Sequence, residues 1–165
     1  MKRNILFLIL LIGIVVMFAN KIYCQGISIT GGNVSLTIST ATAGEEPDSV
    51  YNTDTGLNYW GIYWNPARYK ITAKTNLSSP KFTLTVEAIQ IVTSTSGYIP
   101  VGGTAQGEVT LSTTAQSIIT DLKEGRSWNP HSCTLRYTTS ATLSQGTGTD
   151  FHTITYTIIY TGSPF

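Results

Sequence analysis

Phe82-Thr83-Leu84-Thr85-Val86-Glu87-Ala88 is the stretch whose reading decides the fold. Four apolar side chains at even positions alternate with polar ones at odd positions. Successive residues of an extended strand point to opposite faces, so this spacing makes one apolar face and one wetted face. Wound as a helix, the same four side chains would scatter around the circumference and bury nothing coherent. The period recurs on either side. Val34, Leu36 and Ile38 alternate with Ser35, Thr37 and Ser39, and Ile154, Tyr156 and Ile158 alternate with Thr155 and Thr157. No segment of useful length after residue 24 carries a helical period.

Further strands are expected at Leu57–Trp64, Arg68–Asn76, Glu108–Ser112, Gln116–Leu122, Ser132–Leu143 and Phe151–Tyr160. Turn chemistry separates them: Gly44 to Asp48, Asn65-Pro66, Ser78-Ser79-Pro80, Gly97 to Gly103, Asn129-Pro130 and Gln145 to Thr149. About eight short strands with frequent turns describe an all-β chain folded as a single antiparallel β-sandwich. The apolar phase changes from even positions at Ala88 to odd ones at Ile89 and Ile91, which predicts a bulge near Ala88. Gly31-Gly32 marks a second phase change, between Ile27/Ile29 and the set beginning at Val34. The last two strands read as a hairpin central to the fold. Cys133, Leu135, Tyr137, Ala141 and Leu143 share one face of its first strand, and Gly146 and Gly148 supply the turn.

The chain opens differently. Lys2 and Arg3 precede an apolar run from Ile5 to Phe18, and Asn20-Lys21 follow. A basic start, a short apolar core and a polar exit describe a secretory signal peptide, here residues 1–24. A spanning helix needs about twenty apolar residues, more than this run offers. The expected address is therefore secreted or cell-surface, the periplasm or medium of a bacterium, with membrane contact only during export. Cleavage leaves residues 25–165 as one domain. It also leaves seven basic side chains against nine acidic ones, a net charge of −2. Such a surface excludes a nucleic-acid partner, which requires clustered Lys and Arg to neutralise phosphates. Only Cys24 and Cys133 occur, so no disulfide framework is expected. Cys24 at the leader's end also reads as a lipid anchor, but Tyr23 stands where that pattern wants a small residue.

Catalytic and metal chemistry find little footing. His131 and His152 are not spaced as metal ligands, and the acidic stretch Glu45, Glu46, Asp48 and Asp54 lacks the graded spacing of a calcium loop. His152 reads as a rim histidine at a strand start, and His131 as a solvated turn residue after Asn129-Pro130. Cys133 lies on an apolar strand face, where a thiol packs as a small hydrophobe. No nucleophile elbow and no phosphate loop occurs. No enzyme, catalytic residue, metal or cofactor is expected. A small hydrolase would need one of the two histidines beside a carboxylate and a hydroxyl in a cleft.

The sharpest local feature is Tyr59-Trp60-Gly61-Ile62-Tyr63-Trp64. On a strand Trp60 and Trp64 share one face while Tyr59 and Tyr63 share the other. One face looks inward as core. The other is either cross-strand packing or a flat platform that stacks on sugars or partner proteins. Tyr59, Trp60, Tyr63 and Trp64 are thus the candidate ligand-binding residues.

An early alternating strand (Ile27 to Ile38), a Thr-rich all-β body and the closing strand Asp150–Thr161 together resemble small secreted bacterial surface proteins of the pilin-like, spore-coat-protein-U type. That resemblance implies a structural subunit, in some members polymerising when an N-terminal strand inserts into the next copy's sheet. Ile27 and Ile29 would be the self-assembly anchors here. The chain departs from the group in lacking a partner for Cys133. The expectation is an exported, non-enzymatic surface or structural subunit whose partners are further copies or other surface proteins. The alternative is a carbohydrate-binding module that takes glycans on the Tyr59–Trp64 aromatics.

Overall fold

Along Cys133, Leu135 and Tyr137 every second side chain is buried, while Ser132, Thr134, Arg136 and Thr138 between them stay partly wetted. This alternation defines the strand at the centre of the larger sheet. The computed structural model describes residues 26–39, 42, 44–60, 68–93, 102–123 and 130–162. Nine strands occur among them: β1 Gly26–Thr30, β2 Val50–Trp60, β3 Arg68–Thr75, β4 Thr83–Val92, β5 Thr104–Ala105, β6 Val109–Thr110, β7 Gln116–Lys123, β8 His131–Ser140 and β9 Ile154–Gly162. All pairings are antiparallel. One sheet runs β1-β2-β8-β4-β6 and the other β5-β7-β3-β9.

The two sheets bury their apolar faces against each other. Leu57 of β2, Val86 of β4 and Leu135 of β8 meet Ile71 of β3 and Ile118 and Ile119 of β7 in one core cluster. Each of these six side chains is fully buried. The outer face of the larger sheet carries the polar partners of the alternation. There Glu87 pairs with Arg136 across the strands, and the Thr85 hydroxyl donates to Glu108 Oε1 at 2.5 Å. A sandwich with one wetted face per sheet follows directly from the period-two pattern.

Several local expectations are corrected. β8 and β9 do not form a hairpin: β8 lies between β2 and β4, whereas β9 is the edge of the opposite sheet beside β3. The connection 141–153 crosses from one layer to the other. A cross-layer link reinforces the crossing, with the Tyr137 and Tyr156 hydroxyls 2.5 Å apart. β8 ends at Ser140, so Leu143 falls in the connection and is 56% exposed. Ala141 instead packs with Ile38 and Phe82 in a small second cluster.

Val34–Ile38 is not a strand either. Its alternation is expressed in burial, with Ile38 enclosed and Val34 and Leu36 packed against the core. Its only ladder contact among the described residues is a bridge from Ile38 to Gly148. Residues 31–39 form a strap that inserts side chains between the sheets without joining either. The reason is geometric: β1 occupies the β2 edge at Gly56–Trp60, and beyond Thr30 the chain leaves that edge through Gly31 and Gly32. Both glycines have positive φ, 103° and 75°, and a Cβ on Gly31 would strike the Asp54 carbonyl.

β2 begins at Val50, seven residues before the expected start at Leu57. A bulge hides the early part from any period count, because the register to β8 shifts between Asn52 and Thr55. The bulge is held locally: Asn52 Oδ1 accepts the Asp54 N–H at 2.9 Å and Asn52 Nδ2 donates to Asp54 Oδ2 at 2.7 Å. The phase change near Ala88 is a bulge, displaced to Gln90, whose φ is 53°, with the register shift between Ile89 and Val92. Glu108–Ser112 shrinks to the two-residue β6.

Truncation at two positions separates this arrangement from the long-hairpin reading. Leu135→Ala empties the space of a fully buried side chain and costs about 2–5 kcal/mol of unfolding free energy. Leu143→Ala changes it by no more than about 0.5 kcal/mol, because the side chain is exposed. Urea titrations of both variants measure the difference, and equal losses would contradict the crossing connection.

Candidate functional site

The aromatic cluster divides as strand alternation requires. Tyr59 follows Thr55 and Leu57 on the inward face of β2 and is 2% exposed. Its hydroxyl donates to the Gly102 carbonyl oxygen at 2.5 Å, and its ring stacks on His131 at 5.6 Å. Burial raises the Tyr59 hydroxyl far above the ordinary tyrosine value, with the Cys133 thiol adding to the effect, so it stays protonated. Tyr59 is therefore a core residue with a satisfied hydroxyl. Trp60 points the other way and is partly buried, its indole lying where a Cβ on Gly26 would stand. An aromatic ring over a bare glycine of the neighbouring edge strand shields the backbone there and clamps β1 in place. Tyr63 and Trp64 lie outside the described residues.

His131 is not a solvated turn residue. It opens β8 opposite Tyr59 of β2 and is 7% exposed. The stack on Tyr59 buries it, and desolvation lowers its pKa from 6.5. No local signal reports this, because Tyr59 lies far away in sequence. His152 is partly buried two residues before β9, close to the rim position read from its phase. Its Nδ1 lies 2.9 Å from the Thr75 hydroxyl, which also accepts the Leu77 N–H at 3.3 Å. The Thr75 hydroxyl can take both contacts, since it carries one donor and two acceptor lone pairs. Burial lowers the His152 pKa, partly offset by the Asp150 carboxylate. Thr75 itself is only 2% exposed, so this hydroxyl–imidazole pair ties β3 to the approach of β9 rather than facing a substrate. Cys133 is buried and free, its thiol pushed up to about 12 by burial. A thiol so placed stays protonated and packs as an apolar group. Among the described residues no three His, Cys, Asp or Glu side chains converge as a metal site.

The residues expected as self-assembly anchors, Ile27 and Ile29, sit on β1. Ile27 packs partly against the core and Ile29 is 44% exposed. Among the described residues β1 pairs with β2 alone, from Gly26 opposite Trp60 to Thr30 opposite Gly56. Below Gly56 the β2 edge from Val50 to Thr55 has no ladder partner among the described residues on the side away from β8. The larger sheet thus ends in a half-covered edge, one end of it closed by a five-residue strand and the rest flanked by the strap. The outward Asn52–Asp54 bulge and the exposed Asp54 blunt that open half.

Comparison with known proteins finds no matching family model, no matching curated protein and no matching solved structure. The functional reading accordingly rests on this geometry.

The two histidines give the fold a pH dependence of fixed sign. Each is harder to protonate folded than unfolded, so the unfolded chain binds more protons between the lowered pKa values and 6.5. Stability is full above that window and falls as pH drops through it. The melting temperature should decline from about pH 7 to about pH 5, and a His131→Phe/His152→Gln double variant should decline less over that interval. Identical pH profiles would contradict the assignment.

Proposed function

We propose that the chain is an exported, non-enzymatic surface or structural β-sandwich subunit that assembles by strand addition, with β1 as the exchanging element. The observation that carries this reading is how β1 is held. It is a five-residue edge strand whose one ladder among the described residues is to β2, and two left-handed glycines separate it from the strap. Its main-chain hydrogen bonds, its Ile27 and Ile29 contacts and the Trp60 clamp form equally well when β1 comes from a neighbouring copy. Exchange then needs only a changed path at Gly31-Gly32 and the loop entropy that separates cis from trans pairing. Main-chain hydrogen bonds supply the affinity and the alternate isoleucines the register.

The export leader fits this role, because a subunit of the cell surface must cross the membrane first. The Thr- and Ser-covered outer face fits it as well, since strands of low charge tolerate close stacking between copies. The core histidine His131, the buried Cys133 and the enclosed Thr75 all support a packing role for the residue types that would otherwise suggest catalysis.

Light scattering on protein that begins at Gln25 tests the reading. Concentration-dependent oligomers should form, and Ile27→Asp/Ile29→Asp should return the population to monomer with the circular dichroism spectrum of a sandwich intact. A protein that begins at Gln25 and stays monomeric at high concentration would overturn it, as would oligomers that persist unchanged when residues 25–31 are removed.

A further inference from the structure

Between the sheets, on the side that the strap crosses, lies a cavity of about 350 Å³. That volume falls within the range of small-molecule sites, about 300–1,000 Å³. Its walls come from both layers and from the strap: Leu84 and Tyr137 from the larger sheet, Ile154 and Tyr156 from the smaller, Val34 and Leu36 from the strap. The strap is the wall most easily displaced, since its only ladder contact among the described residues is the Ile38–Gly148 bridge.

Its polar groups are mostly engaged already. The Tyr137 and Tyr156 hydroxyls bond to each other, and burial raises both far enough to keep them neutral. Asp150 Oδ2 accepts the Phe82 N–H at 2.8 Å, and His152 Nδ1 is taken by Thr75. Asn33, Thr139 and Thr153 also line the site, and two hydroxyl capacities among Tyr137, Tyr156 and Thr55 stay unmet. Whichever tyrosine hydroxyl donates, the other keeps its own O–H hydrogen. Thr55, inward on β2 and 2% exposed, lines the cavity with a hydroxyl that no protein group meets. Ile29, Val34, Leu36, Phe82, Leu84 and Ile154 give the walls an apolar part, with the hydroxyls beside it. An apolar body with one polar group matches that pairing. The charge pattern narrows the class further: Asp150 is the one lining side chain that carries charge at neutral pH, and no Lys or Arg lines the site. Anions are disfavoured there.

We propose that this cavity binds an uncharged small molecule with an apolar body and a single N–H, hydroxyl or carbonyl group. The polar group meets the Thr55 hydroxyl or the tyrosine pair, and the body lies against Leu36, Leu84 and Ile154. The site shares one wall residue, Ile29, with the exchanging strand, but it is read out by probe binding and strand exchange by oligomeric state, so the two readings fail separately.

N-phenyl-1-naphthylamine, an uncharged aromatic with one N–H that brightens in apolar surroundings, is the probe. Titrated into the purified protein, it should give a saturable signal with one molecule bound per chain. Thr55→Val keeps the shape and removes the hydroxyl, and should weaken binding about three- to tenfold. Val34→Phe pushes a ring into the cavity from the strap and should abolish the signal with the sandwich spectrum unchanged. The absence of saturable binding, or full affinity retained in either folded variant, would overturn the proposal. Should Val34→Phe fail to fold, nuclear Overhauser contacts from probe protons to Leu84 and Ile154 methyls decide the location, and their absence overturns it.

Discussion

The inward face of β8 is the constraint on which the rest of the structure depends. Cys133, Leu135 and Tyr137 are buried because β2 and β4 flank their strand and β3, β7 and β9 lie across the core. A one-residue slip of β8 against either neighbour would carry these side chains to water and bring Thr134, Arg136 and Thr138 inside. Burying an arginine without its Glu87 partner costs more than any compensating contact returns. Register in the larger sheet is therefore fixed at its centre, and it is weakest at the margins, where β1 and the two-residue β6 hold on by few residues.

That gradient from centre to margin explains where function can reside. The centre commits its polar and nucleophilic groups to packing: Tyr59 to Gly102, His131 to Tyr59, Thr75 to His152. The margin commits few. Beside β1 and the open half of β2, the strap fills interlayer space with Val34, Leu36 and Ile38 while leaving its backbone outside both ladders. The proposed strand exchange and the proposed small-molecule site both lie on this one incomplete side of the sandwich.

The sequence carried some of this openly. β4 lies close to where alternation put it, because a half-buried strand writes its burial into a period of two; β3 and β7 lie close to where turn chemistry bounded them, although Ile71-Thr72-Ala73 and Ile118-Ile119 are buried in succession. The strap shows the limit of that signal. Val34, Leu36 and Ile38 alternate as cleanly as Leu84, Val86 and Ala88, for periodicity reports which side chains are buried and says nothing of whether the backbone finds a partner. The β8–β9 connection shows a second limit. Adjacent strands with glycines between them look like a hairpin, and only the three-dimensional competition of β2 and β4 for the edges of β8 sends β9 to the other layer. In the candidate site, the division of Tyr59 from Trp60 followed from alternation. Which of them faced inward did not, since both are aromatic, and the burial of His131 depends on a ring that is remote in the chain.

Amide hydrogen exchange resolved residue by residue tests the central claim most directly. Backbone amides of β8 between Cys133 and Thr139 should exchange slowest of all, through global unfolding alone. Amides of Ser35 and Leu36 should exchange orders of magnitude faster although the Val34 and Leu36 side chains pack partly against the core. Protection of the strap equal to that of β8, or exchange in β8 as fast as in the connection 141–153, would contradict the account.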